Sequence, residues 1–512
     1  MSQLSSEDLA LLDHVSELAY CNPFVSERVQ LEQKILGGHK QAQGDVWNYV
    51  ASNEDQIWTN AEAITRKVVP LAERCRQALI KGDGFPASHQ HLYEDLILYV
   101  LFDRYRGHLN KLLIQFSEGD QQACSESWDQ FVGDVEYYRI SPEVKFEILE
   151  HPRHLWACFF QIRRVFHHVF FWIIGGSAAS ARLRSTIWQS VLTHNIRRYV
   201  KSLHGYLDDI PTLVTGPSGS GKELVAKAIA MSQYIPFDEG SKRFVQDYSH
   251  SFLAVNLAAM SPTLIESELF GHCKGAFTGA GEDRKGLFES CLKHGAVFLD
   301  EVGELKESIQ VKLLRVLQTR SFQRLEELTP RQFQGKLIAA TNRDFSLELD
   351  EGRFRHDLYY RLCADIIQTP TLAQQLADSY DDLKFLVDHL SRRIAGPDFK
   401  PLAEEACAWI EKNLGCHYPW PGNVRELEQC LRNLLIRGVY CPVNRTTSSK
   451  QQQFASSVIS GELTADQLLE RYCTLVYAQT GSYEEAARRL DIDRRTVKRK
   501  VNQDLLEELR TP

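Results

Sequence analysis

The sequence predicts a multidomain chain: an α-helical N-terminal domain, an α/β core with a parallel sheet, a further helical segment and a compact helical C-terminal unit. Three observations predict it. Apolar residues recur at helical spacing through residues 1–173, as in LAYCNPFVSERVQLEQKIL and HQHLYEDLILYVLFDRYRGHLNKLLIQF. From 174 to 370, short β-rich runs alternate with helical stretches. PTLVTG, SFLAVN, GAVFLD and GKLIAATN each close on Gly, Asn or Asp, the pattern of a parallel sheet with helices on its faces. Residues 371–440 are helical again, and the polar, aperiodic stretch 441–462, CPVNRTTSSKQQQFASSVISGE, has the composition of a linker leading to residues 463–512.

Composition bounds the rest. A chain of 512 residues accommodates about three domains, and 43% hydrophobic with 25% charged residues excludes a disordered or fibrous protein. The net charge of −8 argues against an overall basic surface but leaves room for a local basic strip. Twelve cysteines are scattered singly with no C-x-x-C pair, which fits a reduced, cytoplasmic chain. The opening MSQLSSEDLALLDHV lacks a cationic segment followed by an apolar one, so no signal peptide is expected. The apolar region Leu155–Ile174 is interrupted by Arg163, Arg164, His167 and His168, so it predicts a buried helix and no membrane span. Within the N-terminal third, LILYVLFD ends at Asp103 but its setting is one continuous helix, not a strand that presents a phosphorylatable aspartate. His151/His154 and His167/His168 lack a matched ligand set for a metal.

The apolar run Thr212–Val214 leads into Gly216-Pro217-Ser218-Gly219-Ser220-Gly221-Lys222-Glu223 and then the helical ELVAKAIAMSQ. Strand, glycine-rich turn and helix form the setting of a P-loop: backbone N–H groups curl around phosphate, Lys222 reaches the terminal phosphates, and the helix dipole adds to them. Glu223 stands where Ser or Thr usually ligates Mg²⁺. Downstream, Ala296-Val297-Phe298-Leu299-Asp300-Glu301 is an apolar strand ending in adjacent carboxylates. Asp300 is suited to holding Mg²⁺ and Glu301 to polarising the attacking water, two tasks that need two carboxylates. Together these motifs predict an NTPase.

Between them lies Glu268-Leu269-Phe270-Gly271-His272-Cys273-Lys274-Gly275-Ala276-Phe277-Thr278-Gly279-Ala280. GAFTGA so placed, with GPSGSGKE, AVNLAAM, GAVFLDEVGEL, KLLRVLQ, LIAATNRD, FRHDLYYRL and WPGNVRELEQ in order, resembles bacterial sigma-54-dependent transcription activators, the enhancer-binding AAA+ ATPases. The resemblance covers about residues 176–440. It implies an α/β P-loop AAA+ core over 174–370, a helical AAA+ lid over 371–440, a helical regulatory domain over 1–173, and ATP with Mg²⁺ as cofactors. It also implies that Gly275, Ala276, Phe277, Thr278, Gly279 and Ala280 contact sigma-54. Glycines bracketing one aromatic and one hydroxyl suit a mobile finger that presents an unprotected Phe277. By the same resemblance, Asn256 relays nucleotide status to Glu301, Thr341 and Asn342 are the first sensor, and Arg425 is the second. Arg355 and Arg361 are offered to a neighbouring subunit's ATP, which implies a homo-oligomeric ring, usually a hexamer. Cys273 replaces a usual Glu, and Pro370-Thr371-Leu372-Ala373-Gln374-Gln375 lacks the arginines and glutamate common at the lid's start.

Residues Gly481–Val501, GSYEEAARRLDIDRRTVKRKV, pattern as a helix-turn-helix with Asp491 at the turn, a position Asp tolerates. The segment resembles the Fis-type DNA-binding domain of such activators. Arg494, Arg495, Thr496, Lys498, Arg499 and Lys500 would face phosphates and base edges. The expected function is therefore an ATP-hydrolysing ring that remodels the sigma-54 RNA polymerase closed complex while bound to upstream DNA. The alternative is a DNA-binding regulator in which ATP binding only controls oligomerisation.

Overall fold

In the computed structural model the described residues are 4–37, 54–81, 89–117, 125–140, 146–278, 280–442, 458, 463–502 and 505–506. The chain divides into two compact units, Met1–Ile436 and Arg437–Pro512.

Among the described residues the first unit begins with the helices Ser6–Tyr20, Ser26–Leu36, Glu54–Lys81, Gln90–Ser117, Ser125–Arg139 and Pro152–Trp172. Asp103 lies within Gln90–Ser117, accepts a hydrogen bond from Thr65 Oγ1 at 2.7 Å and pairs with Arg106 at 3.0 Å. Among the described residues no helix is long and apolar enough to cross a membrane. Pro152–Trp172 instead buries Arg164 with its apolar residues.

The α/β core follows. Five parallel strands, β1 (Thr212–Thr215), β2 (Phe252–Asn256), β3 (Ala296–Asp300), β4 (Lys336–Thr341) and β5 (Asp365–Gln368), lie in the order β5-β1-β4-β3-β2. Side chains alternate across this sheet, as pleating requires. Leu213, Val297, Leu299, Leu337 and Ala339 enter one apolar core with Leu313 of the helix Glu307–Thr319. Val214, Phe298, Ile338, Ala340 and Ile367 enter the other.

That second core does not stop at residue 173. It continues through Val225, Ala226 and Ile229 of the helix Lys222–Ala230 into Trp156, Phe160 and Phe131 of the N-terminal helices. Aromatic pairs mark the seam: Trp128–Phe237 at 4.7 Å, Phe160–Phe244 at 4.4 Å and Phe116–Tyr248 at 5.6 Å between ring centroids. Arg164 donates to the carbonyls of Met231 (2.9 Å) and Gln233 (2.6 Å), just past the end of Lys222–Ala230. Burial pushes this guanidinium down to about 10, so it is charged at neutral pH and complements the negative end of that helix.

The helices Leu372–Asp378, Asp381–Ala395, Phe399–Asn413 and Asn423–Arg437 complete the unit. Thr371 and Gln374 form a reciprocal capping box at the start of the first. The divergent PTLAQQ segment thus retains a well-defined helix start.

In the second unit, helices Ala465–Thr480, Tyr483–Leu490 and Arg494–Lys500 pack around Cys473, Val476, Ala486, Ala487, Val497, Val501 and Leu506. Asp491 takes the left-handed conformation, φ 52°, at the turn between the last two helices.

Candidate active site

The site forms where the carboxyl ends of β1, β4 and β3 lie side by side, the place where open α/β sheets bind ligands. From β1 the chain enters the Gly216–Gly221 turn, in which Gly216, Gly219 and Gly221 have φ of 146°, 77° and 92°. A Cβ on Gly216 would collide with Thr369, and one on Gly219 with the Gly422 carbonyl, so these positions need glycine for both conformation and space. The turn opens the helix Lys222–Ala230, whose first N–H groups form an anion site. Lys222 is buried, donates to the carbonyl of Gly216 at 3.0 Å and lies 3.9 Å from Glu301 Oε1. Burial lowers its pKa, while Glu301 and Asp300 favour the charged form.

At the end of β3, Glu301 adopts φ 57° and ψ 49°. A left-handed non-glycine residue is a strained feature of the kind held at working sites. This turn aims the Glu301 carboxylate across β4, where it accepts the Asn342 backbone N–H at 3.2 Å. Asp300 accepts the Glu301 N–H at 3.1 Å. Asn256 is the cross-strand partner of Asp300 and donates to Asp300 Oδ2 at 3.2 Å, while its own Oδ1 accepts the Ala258 N–H at 3.0 Å. The expected contact of Asn256 was Glu301. The register puts Asp300 opposite instead, because the backbone reversal at Glu301 swings that carboxylate towards Asn342.

The helices after β5 meet the glycine-rich turn directly. Arg425 Nη1 donates to Ser218 Oγ at 2.9 Å, and the Val424 N–H donates to the Gly219 carbonyl at 3.1 Å. Between them Asn423, buried with φ 53°, donates through Nδ2 to the Ser218 carbonyl at 3.0 Å. Its Oδ1 accepts the Leu372 N–H at 2.9 Å. One side chain thus joins the glycine-rich turn to the first and last helices after β5, and sequence reasoning missed it; the Gly422-Asn423 turn dipeptide was the available signal. Ser220 and Thr369 hydroxyls, 2.7 Å apart, tie the turn to the end of β5.

Other expected residues are placed as follows. Pro217 forms part of the turn, its carbonyl accepting from Ser220 Oγ at 2.7 Å. Glu223 is exposed in the first turn of its helix. Thr341 is fully buried, its Oγ1 accepting the Arg343 N–H at 3.1 Å, so of these two residues Asn342 is the one that reaches Glu301. Arg355 caps the helix His356–Leu362 and binds Asp357 through Nη2 at 2.8 Å; Arg361 is exposed on the same helix.

In the Gly275–Ala280 loop, the Gly275 N–H donates to the Ala280 carbonyl at 2.9 Å. Phe277 is half-buried, edge-on to His272 with centroids 4.9 Å apart, so it does not stand clear as an unprotected knob. An apolar ring packed beside an imidazole exposes less area to water than one standing in solvent. Thr278 is the exposed member, Ala276 is half-buried and Gly279 lies outside the described residues.

In the second unit Arg494, Arg495, Lys498 and Arg499 are exposed and Thr496 is half-buried. Lys500 turns inward to Asp466 at 2.7 Å, and Arg494 pairs with Glu484 at 2.8 Å.

The family description "Sigma-54 interaction domain" matches residues 188–368. The match ends with β5, so Asn423 and Arg425 lie beyond it. The transcriptional regulatory protein ZraR of Salmonella typhimurium is 37% identical over 298 residues, 57% of this chain and 63% of that protein. The Nif-specific regulatory protein of Azotobacter vinelandii is 42% identical over 225 residues, 44% of this chain and 39% of that protein. The chain therefore spans less than two thirds of the length of these relatives. The crystal structure of NtrX from Brucella abortus aligns over 74% of this chain and 79% of that one, at 23% identity and a TM-score of 0.39.

Proposed function

We propose that the protein hydrolyses ATP as an oligomeric ring to activate the sigma-54 RNA polymerase. One observation carries this: Lys222, Glu301 and Asn342 converge at three adjacent strand ends within a sigma-54 interaction domain. The P-loop amides and Lys222 would take the ATP phosphates, and Arg425 would take the nucleotide from the lid side. Glu301 would orient the attacking water and draw off its proton, a role suited to a carboxylate with two neighbouring donors. The donor set fits Mg²⁺, which binds through one or two carboxylates plus phosphates; Asp300 is the carboxylate placed for it. The ion would neutralise charge on the phosphates. Arg355, just before the helix His356–Leu362, and Arg361, exposed on it, would complete a neighbouring subunit's site, which supports a ring, most simply a hexamer.

The helical C-terminal unit, with its left-handed Asp491 and exposed Arg494, Arg495, Lys498 and Arg499, would bind upstream DNA as a helix-turn-helix. The Gly275–Ala280 loop would contact sigma-54, with Thr278 at its exposed surface. Such a regulator would work in the cytoplasm. The test is transcription from a sigma-54 promoter with purified polymerase, comparing wild type with Thr278→Ala. Activation by the wild type alone, with ATPase retained in both, is expected. Equal activation by both proteins removes the loop from the account.

A further inference from the structure

The junction between the N-terminal helices and the sigma-54 interaction domain is held by the lid. After helix Pro152–Trp172 the chain passes Gly175 and Gly176 and starts helix Ala178–Leu192. Asp382, fully buried in the first turn of the lid helix Asp381–Ala395, accepts the N–H of Gly176 at 2.5 Å and of Ser177 at 3.0 Å, one on each oxygen. Asp378, at the end of the preceding lid helix, accepts the N–H of Ala179 at 3.0 Å and lies 3.6 Å from Arg182. These carboxylates occupy the positive end of helix Ala178–Leu192, where a negative charge and free N–H groups reinforce each other.

The junction is held from its other side too. Arg184, also buried, donates to the carbonyls of Ile173, at 3.0 Å, and of Gly175. Gly175 has φ 124°, and a Cβ there would lie 2.6 Å from Asp382 Oδ2. At the far end of the same helix, Ser190 Oγ donates to Asp365 of β5 at 2.5 Å. N-terminal helices and lid thus meet at Gly175–Ser177, and the sheet joins at the other end of helix Ala178–Leu192. The lid that grips this junction is the one that places Asn423 and Arg425 on the P-loop.

We propose that Asp382, supported by Asp378, is a positioning residue of the ATP site. It holds the lid at the angle that seats Asn423 and Arg425 on Ser218, and it makes that angle depend on the N-terminal helices through Gly175–Ser177. A shift of the junction breaks two charge-assisted hydrogen bonds and releases the lid; a nucleotide that closes the lid tightens the junction. The inference rests on the ATPase reading above, but its first readout is nucleotide binding, which does not require hydrolysis.

The experiment uses the full chain, titrated with a fluorescent ADP analogue, in wild type, Asp382→Asn, Gly175→Ala and the double variant. Losing hydrogen bonds to a charged group weakens binding by about tenfold or more. Each single variant is expected to weaken nucleotide binding and raise KM for ATP to that extent, with kcat within about twofold of wild type. The double variant should be no worse than the weaker single, because both changes break one contact. Asp382→Glu is expected to recover part of the loss. Unchanged affinity in both singles, or additive losses, overturns the proposal. Hydrogen exchange on the wild type gives a reading that no folding defect can mimic: saturating ADP should slow exchange at Gly176, Ser177 and Ala179, and unchanged exchange there also overturns it. A wild type that binds ADP but never hydrolyses ATP contradicts the ATPase reading and leaves the positioning of the lid standing.

Discussion

Deleting residues 1–173 should unfold the α/β core rather than free it. The helical segment covers an apolar surface that the α/β core cannot hide alone. Phe237, Phe244 and Tyr248, each at most 8% exposed, pack on Trp128, Phe160 and Phe116. At about 1.5–3 kcal/mol for each large side chain returned to water, these three cost about 5–9 kcal/mol. A domain's whole stability is about 5–15 kcal/mol. Val225 and Ile229, whose core continues into the same helices, and the loss of Arg164 from Met231 and Gln233 add to that cost. The assay is a thermal melt of residues 174–512 followed by near-UV circular dichroism, with a dye that reports exposed apolar surface. We expect no sharp transition and strong dye binding. A soluble fragment that melts cooperatively near the full chain's Tm and binds ATP equally well would refute the reasoning.

Further outcomes follow from the same geometry. Lys222→Ala should weaken ATP binding about 10- to 100-fold, the range for hydrogen bonds to a charged group, in a direct binding titration. His154 is neutral in the fold: its Nδ1 meets the Tyr234 hydroxyl at 2.7 Å and its Nε2 the Val200 carbonyl at 2.6 Å. Burial lowers its pKa to about 4, from an ordinary 6.5. Between those values the unfolded chain binds more protons, so stability should fall as pH drops from about 6.5 towards 4; His154→Gln should flatten that slope in melts across pH. Arg499→Ala should reduce the slope of log affinity for duplex DNA against log salt by about one. Lys500→Ala should change that slope less and instead lower the melting point of the C-terminal unit, because Lys500 is engaged with Asp466.

Much of this was legible in the residues because the chemistry is local. A P-loop is a contiguous turn, and Asp300 and Glu301 follow a strand whose apolar run is plain. β1 to β4 were visible for the same reason. β5, only Asp365–Gln368, was not: at the sheet's edge its Ile366 is largely exposed, so its four residues carry no periodic signal. Asn423 was hidden because its role is a pair of hydrogen bonds between segments some 205 and 51 positions away. Phe277 looked like a free knob because the sequence does not show that His272 folds back beside it. The same limit applied to the N-terminal third. Its helices were evident from spacing, yet nothing in that spacing says that they share a core with Val214 and Ile338 of the sheet. Lys500 joined the basic strip by sequence position, and only the packing of Ala465–Thr480 brings Asp466 to it.

The central claim, that hydrolysis at this site drives the sigma-54 polymerase, is tested most directly by promoter opening in a purified system with wild type and Glu301→Gln. Glu301→Gln keeps the shape of the side chain but removes the base, which should slow hydrolysis by about 10²–10⁴-fold while ATP still binds. Strand opening at a sigma-54 promoter, read by permanganate reactivity, should appear with wild type and ATP and vanish with Glu301→Gln or a non-hydrolysable analogue. Equal opening by the two proteins at equal ATP occupancy would contradict the account.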